Sequence, residues 1–118
     1  MIGGAHAARP LACDGVPVAD IVRETGTPVY VYSAGRVRSA WAELDRAFAR
    51  CPHAIHFALK ANSTLAILRL LRGLGAAADA NSGGEIEAAL GAGFEPPQIV
   101  FTGVGKTTDE LDRAVALG

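Results

Sequence analysis

The residue in this sequence that is best suited to carry out chemistry is Lys60, which lies just after a predicted apolar strand at residues 54–59. Side chains alternate along a strand, so Phe57 and Leu59 share the apolar face while Lys60 belongs to the other face. In parallel α/β folds the apolar face packs under helices, and ligands bind at the carboxyl ends of the strands. The pattern therefore predicts a lysine amine at a ligand crevice.

A lysine at this position has two interpretations. The first is an ordinary solvated side chain, which describes most lysines in proteins. The second is a Schiff-base lysine, whose amine is kept neutral and nucleophilic by desolvation in a closed pocket. His56, on the same face, is expected to fill the interior through a hydrogen bond rather than to catalyse. Position alone leaves both interpretations of Lys60 open.

A second candidate is the loop FTGVGKT at residues 101–107, which invites comparison with a phosphate-binding loop. A P-loop places a glycine five positions before its second glycine, here Gly105, and that position is Val100. The P-loop motif is therefore not present. A strand-to-helix turn with two glycines can still bind an anion on its backbone amides. This leaves a non-catalytic phosphate- or nucleotide-binding α/β module as an alternative function.

Three predicted strands, each followed by a predicted helix, would position these residues. The strands begin near residues 54, 76 and 98, a repeat of about 22 residues. The first of these helices is predicted by a leucine stripe that starts at Leu65. The second and third are predicted by capping-box spacings at their starts, SGGE at residues 82–85 and TTDE at residues 107–110. Consecutive βα units of this kind form a parallel sheet. The predicted fold class is thus α/β, the first few βα units of a partial (β/α)8 TIM barrel.

A whole barrel of this type typically needs about 250 residues, whereas the chain has 118 residues. A part of a barrel would also leave its last strand as an open parallel edge with an uncovered apolar face. The length therefore predicts the front part of a longer protein.

The region before these units is predicted to contain three further elements. Residues 1–15 are rich in Gly, Ala and Pro and have no period, which predicts a loosely ordered segment. A short helix is expected at residues 18–25, followed by a β-branched and aromatic strand at residues 28–32. An amphipathic helix at residues 34–50, with Ser33 as its N-cap, then leads to the lysine strand.

Composition excludes several classes of function. Half of the residues are hydrophobic, the net charge is −1 and the isoelectric point is about 6.3, and no basic run is interleaved with aromatics, so no nucleic-acid partner is expected. No apolar stretch is long enough for a membrane span, and the start lacks a signal-peptide pattern. Cys13 and Cys51 are in no metal-ligand spacing and are expected to be reduced thiols, with no metal site. A cytoplasmic protein is the expectation.

The string FALKAN at residues 57–62, with its leucine-rich continuation to Gly75, resembles the pyridoxal-phosphate attachment pattern of a known family. This is the ornithine/diaminopimelate/arginine decarboxylase family, the barrel class of pyridoxal enzymes. Further matching segments lie upstream and downstream: GTPVYVY at residues 26–32, Asp79, and SGGE at residues 82–85. The loop at residues 101–107 is similar to the diaminopimelate branch in particular. The resemblance covers nearly the whole chain from about residue 11.

The resemblance implies an alanine racemase-like pyridoxal-phosphate barrel in which Lys60 is catalytic and forms a Schiff base with pyridoxal 5′-phosphate. It also implies that Asp79 and Glu85 contribute to cofactor binding. A carboxylate near a cationic imine favours the protonated Schiff base. The alternative for Asp79 is a turn carboxylate, and for Glu85 it is the N3 position of the capping box that starts at Ser82.

The implied activity is an amino-acid decarboxylase, with meso-diaminopimelate as the expected substrate and L-lysine and carbon dioxide as products. Relatives that act on ornithine, arginine or carboxynorspermidine remain alternatives. A racemase of the related barrels is disfavoured, because their lysine strand continues into a tyrosine- and glycine-bearing stretch that residues 63–65 do not resemble. Residues 1–27 are expected to lead into the barrel domain, of which residues 28–118 form the amino-terminal part.

Several family elements have no match in these 118 residues. They are the acid that pairs with the pyridine nitrogen, the glycine-rich loop for the cofactor phosphate, the substrate-binding arginine, and a β-sandwich domain that contributes a cysteine across a dimer interface. The resemblance thus implies a homodimer as the full-length enzyme, and an isolated chain that does not decarboxylate its substrate.

Overall fold

The computed structural model describes residues 10–118. The chain divides into two compact units, Met1–Arg36 and Val37–Gly118. The predicted loose segment at residues 1–15 lies partly outside the described residues. The predicted boundary between residues 27 and 28 stays a prediction.

The first unit contains a short antiparallel hairpin where a loose segment was expected. Its strands are β1, Ala12–Cys13, and β2, Val16–Pro17. Asp14 and Gly15 connect them with positive φ angles of 48° and 84°. A two-residue turn with positive φ at both positions matches the right-handed twist of the flanking strands, and Asp-Gly is a preferred sequence for it. The expectation of loose order was wrong for residues 10–15, and the Asp-Gly pair was the signal that could have corrected it.

The predicted strand at residues 28–32 is not formed. The structure assigns no strand to this segment, and its large side chains remain exposed, with Tyr30 at 87%. A strand requires a hydrogen-bonded neighbour, and within residues 10–118 no strand pairs with this one. High β-propensity describes a preference for a pleated, half-buried surface and does not by itself supply the partner.

Both predicted helices in this region are confirmed. Helix α1, Val18–Thr25, ends at Gly26, whose φ is 80°. Helix α2 spans Ala34–Phe48, two residues shorter than predicted. The Ser33 hydroxyl accepts a hydrogen bond from the Arg36 N–H at 3.0 Å and donates one to Asp14 at 2.6 Å, which confirms its capping role.

The second unit is a three-stranded parallel sheet with helices on one face. Its strands are β3, His56–Ala58, β4, Ala77–Ala80, and β5, Ile99–Phe101, in the order β3-β4-β5. The helices are α3, Leu65–Gly73, α4, Gly83–Ala92, and α5, Thr108–Leu117, with 3₁₀ turns at Leu59–Ala61 and Pro96–Gln98. Strand and helix alternate as predicted. The strand β3 ends at Ala58, one residue earlier than predicted, because Leu59 belongs to the 3₁₀ turn.

The two faces of the sheet differ in what covers them. The buried core lies between the sheet and the helices: Leu59, Leu68, Ala78, Ala89, Ala92 and Phe94, with Phe57, Ala88 and Ile99 packed against it. Ala78 and Ala80 are fully buried, so the small residues of β4 let the helices approach closely. On the other face Ala58, Asp79 and Val100 lie side by side in register. Among the described residues, no helix is long and apolar enough to cross a membrane.

Candidate active site

Lys60 lies at the carboxyl end of β3, in the 3₁₀ turn that follows the strand. The residue before it, Leu59, is buried with 1% exposure and belongs to the core. Lys60 itself is exposed, and its amine makes no hydrogen bond or ion pair with any residue between 10 and 118. The desolvated pocket expected around this amine is therefore not built by the described part of the chain. His56 is exposed as well, so it does not fill an interior here.

Asp79 lies on β4, directly opposite Ala58 of β3 and Val100 of β5. It is half-buried, and its carboxylate oxygen Oδ1 accepts hydrogen bonds from the Thr102 hydroxyl and from the Asn81 side-chain amide, the latter at 3.3 Å. Thr102 immediately follows β5. The Asp79 carboxylate is therefore held by side chains from the ends of two strands, which is more than a local turn would require.

Glu85 lies in the first turn of α4 and performs only half of the predicted capping box. The Ser82 hydroxyl accepts a hydrogen bond from the Glu85 N–H at 3.3 Å, as expected of an N-cap. The Glu85 carboxylate, however, accepts from the Asn81 N–H at 2.8 Å instead of from Ser82. The path of the connection between β4 and α4 sets this choice, and the sequence spacing alone does not encode it. Glu85 thus ties the end of β4 to the start of α4.

The second predicted capping box is complete. The Thr107 N–H donates to the Glu110 carboxylate at 3.0 Å, and the Glu110 N–H donates to the Thr107 hydroxyl at 3.3 Å. The other Glu110 oxygen accepts from the Gly83 N–H at 2.8 Å, so one carboxylate joins the first turns of α4 and α5. Hydrogen bonds from the N–H groups of Thr107 and Gly83 hold the pKa of the Glu110 carboxyl below its ordinary value.

Lys106 is the only other lysine of the sequence, and its amine is engaged. It donates to the carbonyl oxygen of Gly103 at 2.6 Å and lies 4.7 Å from the centre of the Phe101 ring. A cation over an aromatic face is attracted by the ring quadrupole. The loop that invites a phosphate-binding interpretation therefore uses its lysine to hold its own conformation.

Residues 34–118 match the model of a family described as the pyridoxal-binding domain of pyridoxal-dependent decarboxylases. The chain belongs to this family.

The similar proteins include diaminopimelate decarboxylases. The one from Vibrio cholerae serotype O1 is 45% identical over 102 residues, which cover 86% of this chain and 24% of that protein. The one from Pseudomonas aeruginosa is 44% identical over 108 residues, covering 92% and 26%. The crystal structure of the Helicobacter pylori diaminopimelate decarboxylase complexed with L-lysine superimposes with a TM-score of 0.79 at 41% identity, covering 85% and 25%.

The chain spans about a quarter of the length of these relatives. The predicted fold class, the first βα units of a pyridoxal-phosphate barrel, is confirmed by this structural similarity. The predicted resemblance to the decarboxylase family is likewise confirmed.

As a member of this pyridoxal-binding domain family, the chain carries residues whose chemistry suits part of a site for the cofactor. An aldehyde requires a primary amine that is free to condense, and Lys60 has such an amine. Ala58 and Ala77 belong to the same face of the sheet as Asp79, so the side chains beside the Asp79 carboxylate are small. These residues fit a planar cationic group near the ends of β3 and β4.

The structure brings the predicted residues Asp79 and Glu85 together through Asn81, and it places Lys60 on the neighbouring strand end. Sequence reasoning missed Asn81 and Thr102. The signal that could have found them is the strand repeat. Ala58, Asp79 and Val100 lie in register on the three strands. The residues two positions further along each strand are Lys60, Asn81 and Thr102.

Proposed function

We propose that this chain is the amino-terminal part of the barrel of a diaminopimelate decarboxylase, which converts meso-diaminopimelate to L-lysine and carbon dioxide. In this proposal Lys60 is the catalytic lysine that holds pyridoxal 5′-phosphate, and Asp79 and Glu85 belong to the cofactor site. The observation that supports it most directly is the similarity to diaminopimelate decarboxylases, 44% to 45% identical over 86% to 92% of this chain. The position of Lys60 at the carboxyl end of β3, beside the strand that carries Asp79, is consistent with it.

The residues of the chain have distinct roles in this proposal. When bound, pyridoxal phosphate supplies the electron sink that makes loss of carbon dioxide from an amino acid feasible. Lys60 would hold the cofactor through its amine, and the same amine could accept or donate a proton locally. Asp79 places a carboxylate on the adjacent strand, where a negative charge favours a nearby cation. Glu85 fixes the backbone of Asn81 and so supports Asp79 indirectly.

The remaining parts of the proposed function concern a whole enzyme of the length of the relatives, of which this chain spans about a quarter. We propose a cytoplasmic homodimer that takes a small amino acid as substrate, with residues 1–27 leading into the barrel domain that begins at residue 28. The acid for the pyridine nitrogen, the phosphate loop and the substrate arginine would come from further sequence. The isolated chain is therefore expected to be inactive, and measurable turnover by it would contradict this part of the proposal.

The presence of only two lysines makes a direct labelling experiment possible. The 118-residue chain is incubated with pyridoxal phosphate, reduced with borohydride and mapped by peptide mass spectrometry. We expect the adduct mainly on Lys60, because the Lys106 amine would first have to leave the Gly103 carbonyl and the Phe101 ring. Lys60→Arg should remove most of the label, and Lys106→Arg is the matched control that should retain it. Equal labelling of both lysines, or preferential labelling of Lys106, would contradict the proposed role.

The substrate is tested separately with the protein expressed from its complete reading frame. Carbon dioxide release is measured with meso-diaminopimelate, ornithine, arginine and carboxynorspermidine under the same conditions. We expect the highest kcat/KM with meso-diaminopimelate. A preference for one of the other three would retain the decarboxylase proposal and replace its substrate.

A further inference from the structure

The carboxyl ends of β4 and β5 carry a small hydrogen-bonded network that the family comparison does not assign. Its members are the side chains of Asp79, Asn81 and Thr102. Side chains alternate along a strand, so residues 79 and 81 belong to the face opposite the buried Ala78. Thr102 belongs to that face too, because it lies two positions beyond Val100, which pairs with Asp79. The network therefore lies on the same face as the proposed cofactor site.

The direction of each hydrogen bond in this network is determined by the groups involved. The Asn81 amide nitrogen donates to the Thr102 hydroxyl oxygen at 2.8 Å and to Asp79 Oδ1 at 3.3 Å. The Thr102 hydroxyl has one proton, and since it accepts from Asn81 it donates that proton to Asp79 Oδ1. A flipped Asn81 amide would place its oxygen against the carboxylate, which is repulsive. Both donors thus converge on one oxygen of Asp79.

The two donors are themselves fixed by backbone hydrogen bonds. The Asn81 N–H donates to the Glu85 carboxylate, and the Thr102 N–H donates to the carbonyl oxygen of Ala80 at 2.8 Å. Gly103 follows with a φ of 92°, and a Cβ at that position would lie 3.5 Å from the Asn81 side chain. The network is therefore anchored to both strands, and Asp79 receives two hydrogen bonds on Oδ1 while Oδ2 has no hydrogen-bond partner among residues 10–118.

We propose that Thr102, oriented by Asn81, is a positioning residue that fixes the Asp79 carboxylate with one oxygen engaged and the other free for a cationic group beside Lys60. This inference rests on the proposed function, because it assigns Asp79 to the cofactor site. Charge-assisted hydrogen bonds are stronger than neutral ones and restrict the rotation of the carboxylate. Thr102 acts through Asp79 and does not itself touch the cofactor.

The test uses the protein expressed from its complete reading frame, titrated with pyridoxal phosphate and followed by the visible absorption of the bound cofactor. Thr102→Val preserves the side-chain volume and removes the hydroxyl, and we expect it to weaken cofactor binding about tenfold. The pH at which the absorption band changes should move to lower pH, because a mobile carboxylate stabilises the adjacent cation less. Thr102→Ser retains the hydroxyl and should show the cofactor affinity and the pH midpoint of the unmodified protein. A loss of either value in Thr102→Ser would contradict the role of the hydroxyl, even if Thr102→Val did not fold.

A double-mutant cycle separates this role from a general structural one. In an Asp79→Asn background, Thr102→Val should add little further loss, because the carboxylate that it positions is no longer there. Thr108→Val is the matched control, since Thr108 is exposed and its hydroxyl makes no hydrogen bond with the described residues. It should leave the affinity and the pH midpoint unchanged.

The outcomes distinguish this inference from the proposed function. If the unmodified protein forms its adduct on Lys60 but Thr102→Val has unchanged affinity and pH midpoint, only the positioning role is overturned. Full additivity of the two substitutions also overturns it. If the unmodified protein forms no adduct on Lys60, the proposed function fails and this inference fails with it.

Discussion

The end of β3 and the ends of β4 and β5 are built in opposite ways, although all three lie at the same edge of the sheet. After β3 the turn is anchored by an apolar side chain, Leu59, which is buried in the core. The adjoining Lys60 makes no polar contact within the described chain, and helix α3 begins without a side-chain cap. After β4 and β5, by contrast, polar side chains bond to one another and both helices are capped.

In the proposed function, this difference corresponds to separate roles for the Lys60 amine and the Asp79 carboxylate. A nucleophilic amine must be free to form and break bonds, so its position is set by the packing of its neighbour and not by hydrogen bonds to the amine. A carboxylate that acts by charge must be held in one place, and hydrogen bonds to its oxygen achieve this. Experiments that disturb the apolar anchor or the polar network should therefore have separable effects.

The largest expected effect on folding comes from removing the apolar anchor. Leu59→Ala deletes a side chain with 1% exposure, and such truncations in a packed core reduce the free energy of unfolding by about 2 to 5 kcal/mol. The measurement is urea denaturation of the whole chain followed by circular dichroism. Leu111→Ala, at a position with 46% exposure, is the matched control and should lower it by about 1 kcal/mol or less. Equal losses for both variants would show that Leu59 is not an anchor.

A smaller effect is expected from removing one cap on the polar side. Ser82→Ala eliminates the acceptor for the Glu85 N–H, and loss of an N-cap typically lowers the free energy of unfolding by about 1 kcal/mol. Ser63→Ala is the control at the end of β3, where Ser63 is exposed and its hydroxyl bonds to none of the described residues. It should change stability by less than about 0.5 kcal/mol. A larger loss for Ser63→Ala than for Ser82→Ala would reverse the comparison.

The smallest effect is a change in acid sensitivity that depends on Glu110. Because its pKa is lowered in the folded state, Glu110 contributes stability that is present above its ordinary value of 4.5 and is lost as the pH falls through the folded pKa. The free energy of unfolding is measured between about pH 6 and pH 3. Glu110→Gln should lose less stability over this interval than the unmodified chain.

Asp112 provides the control for that experiment, since it lies in the same helix and its carboxylate has no hydrogen bond to the described residues. Asp112→Asn should retain the acid sensitivity of the unmodified chain. Identical pH profiles for the unmodified chain and Glu110→Gln would show that the bonds from Thr107 and Gly83 do not contribute to stability in solution.

The sequence by itself determined the alternation of strands and helices, because hydrophobic periodicity and cap residues are local signals. It therefore predicted α1, α3 and the parallel strands to within a few residues, and it identified the decarboxylase family from a continuous motif. The catalytic role of Lys60 stays a prediction. It failed at residues 28–32, where strand propensity is high but no pairing partner is present in the described chain.

Only the tertiary structure decided which polar groups meet. Thr102 reaches Asp79 across 23 positions, and Glu110 reaches Gly83 across 27. Such contacts depend on the register between strands and on the path of each connection, and neither is encoded in the spacing of a local motif. For the same reason the prediction of a capping box at Ser82 was only half correct. The Ser82 hydroxyl accepts from the Glu85 N–H, but the Glu85 carboxylate accepts from the Asn81 N–H and not from that of Ser82.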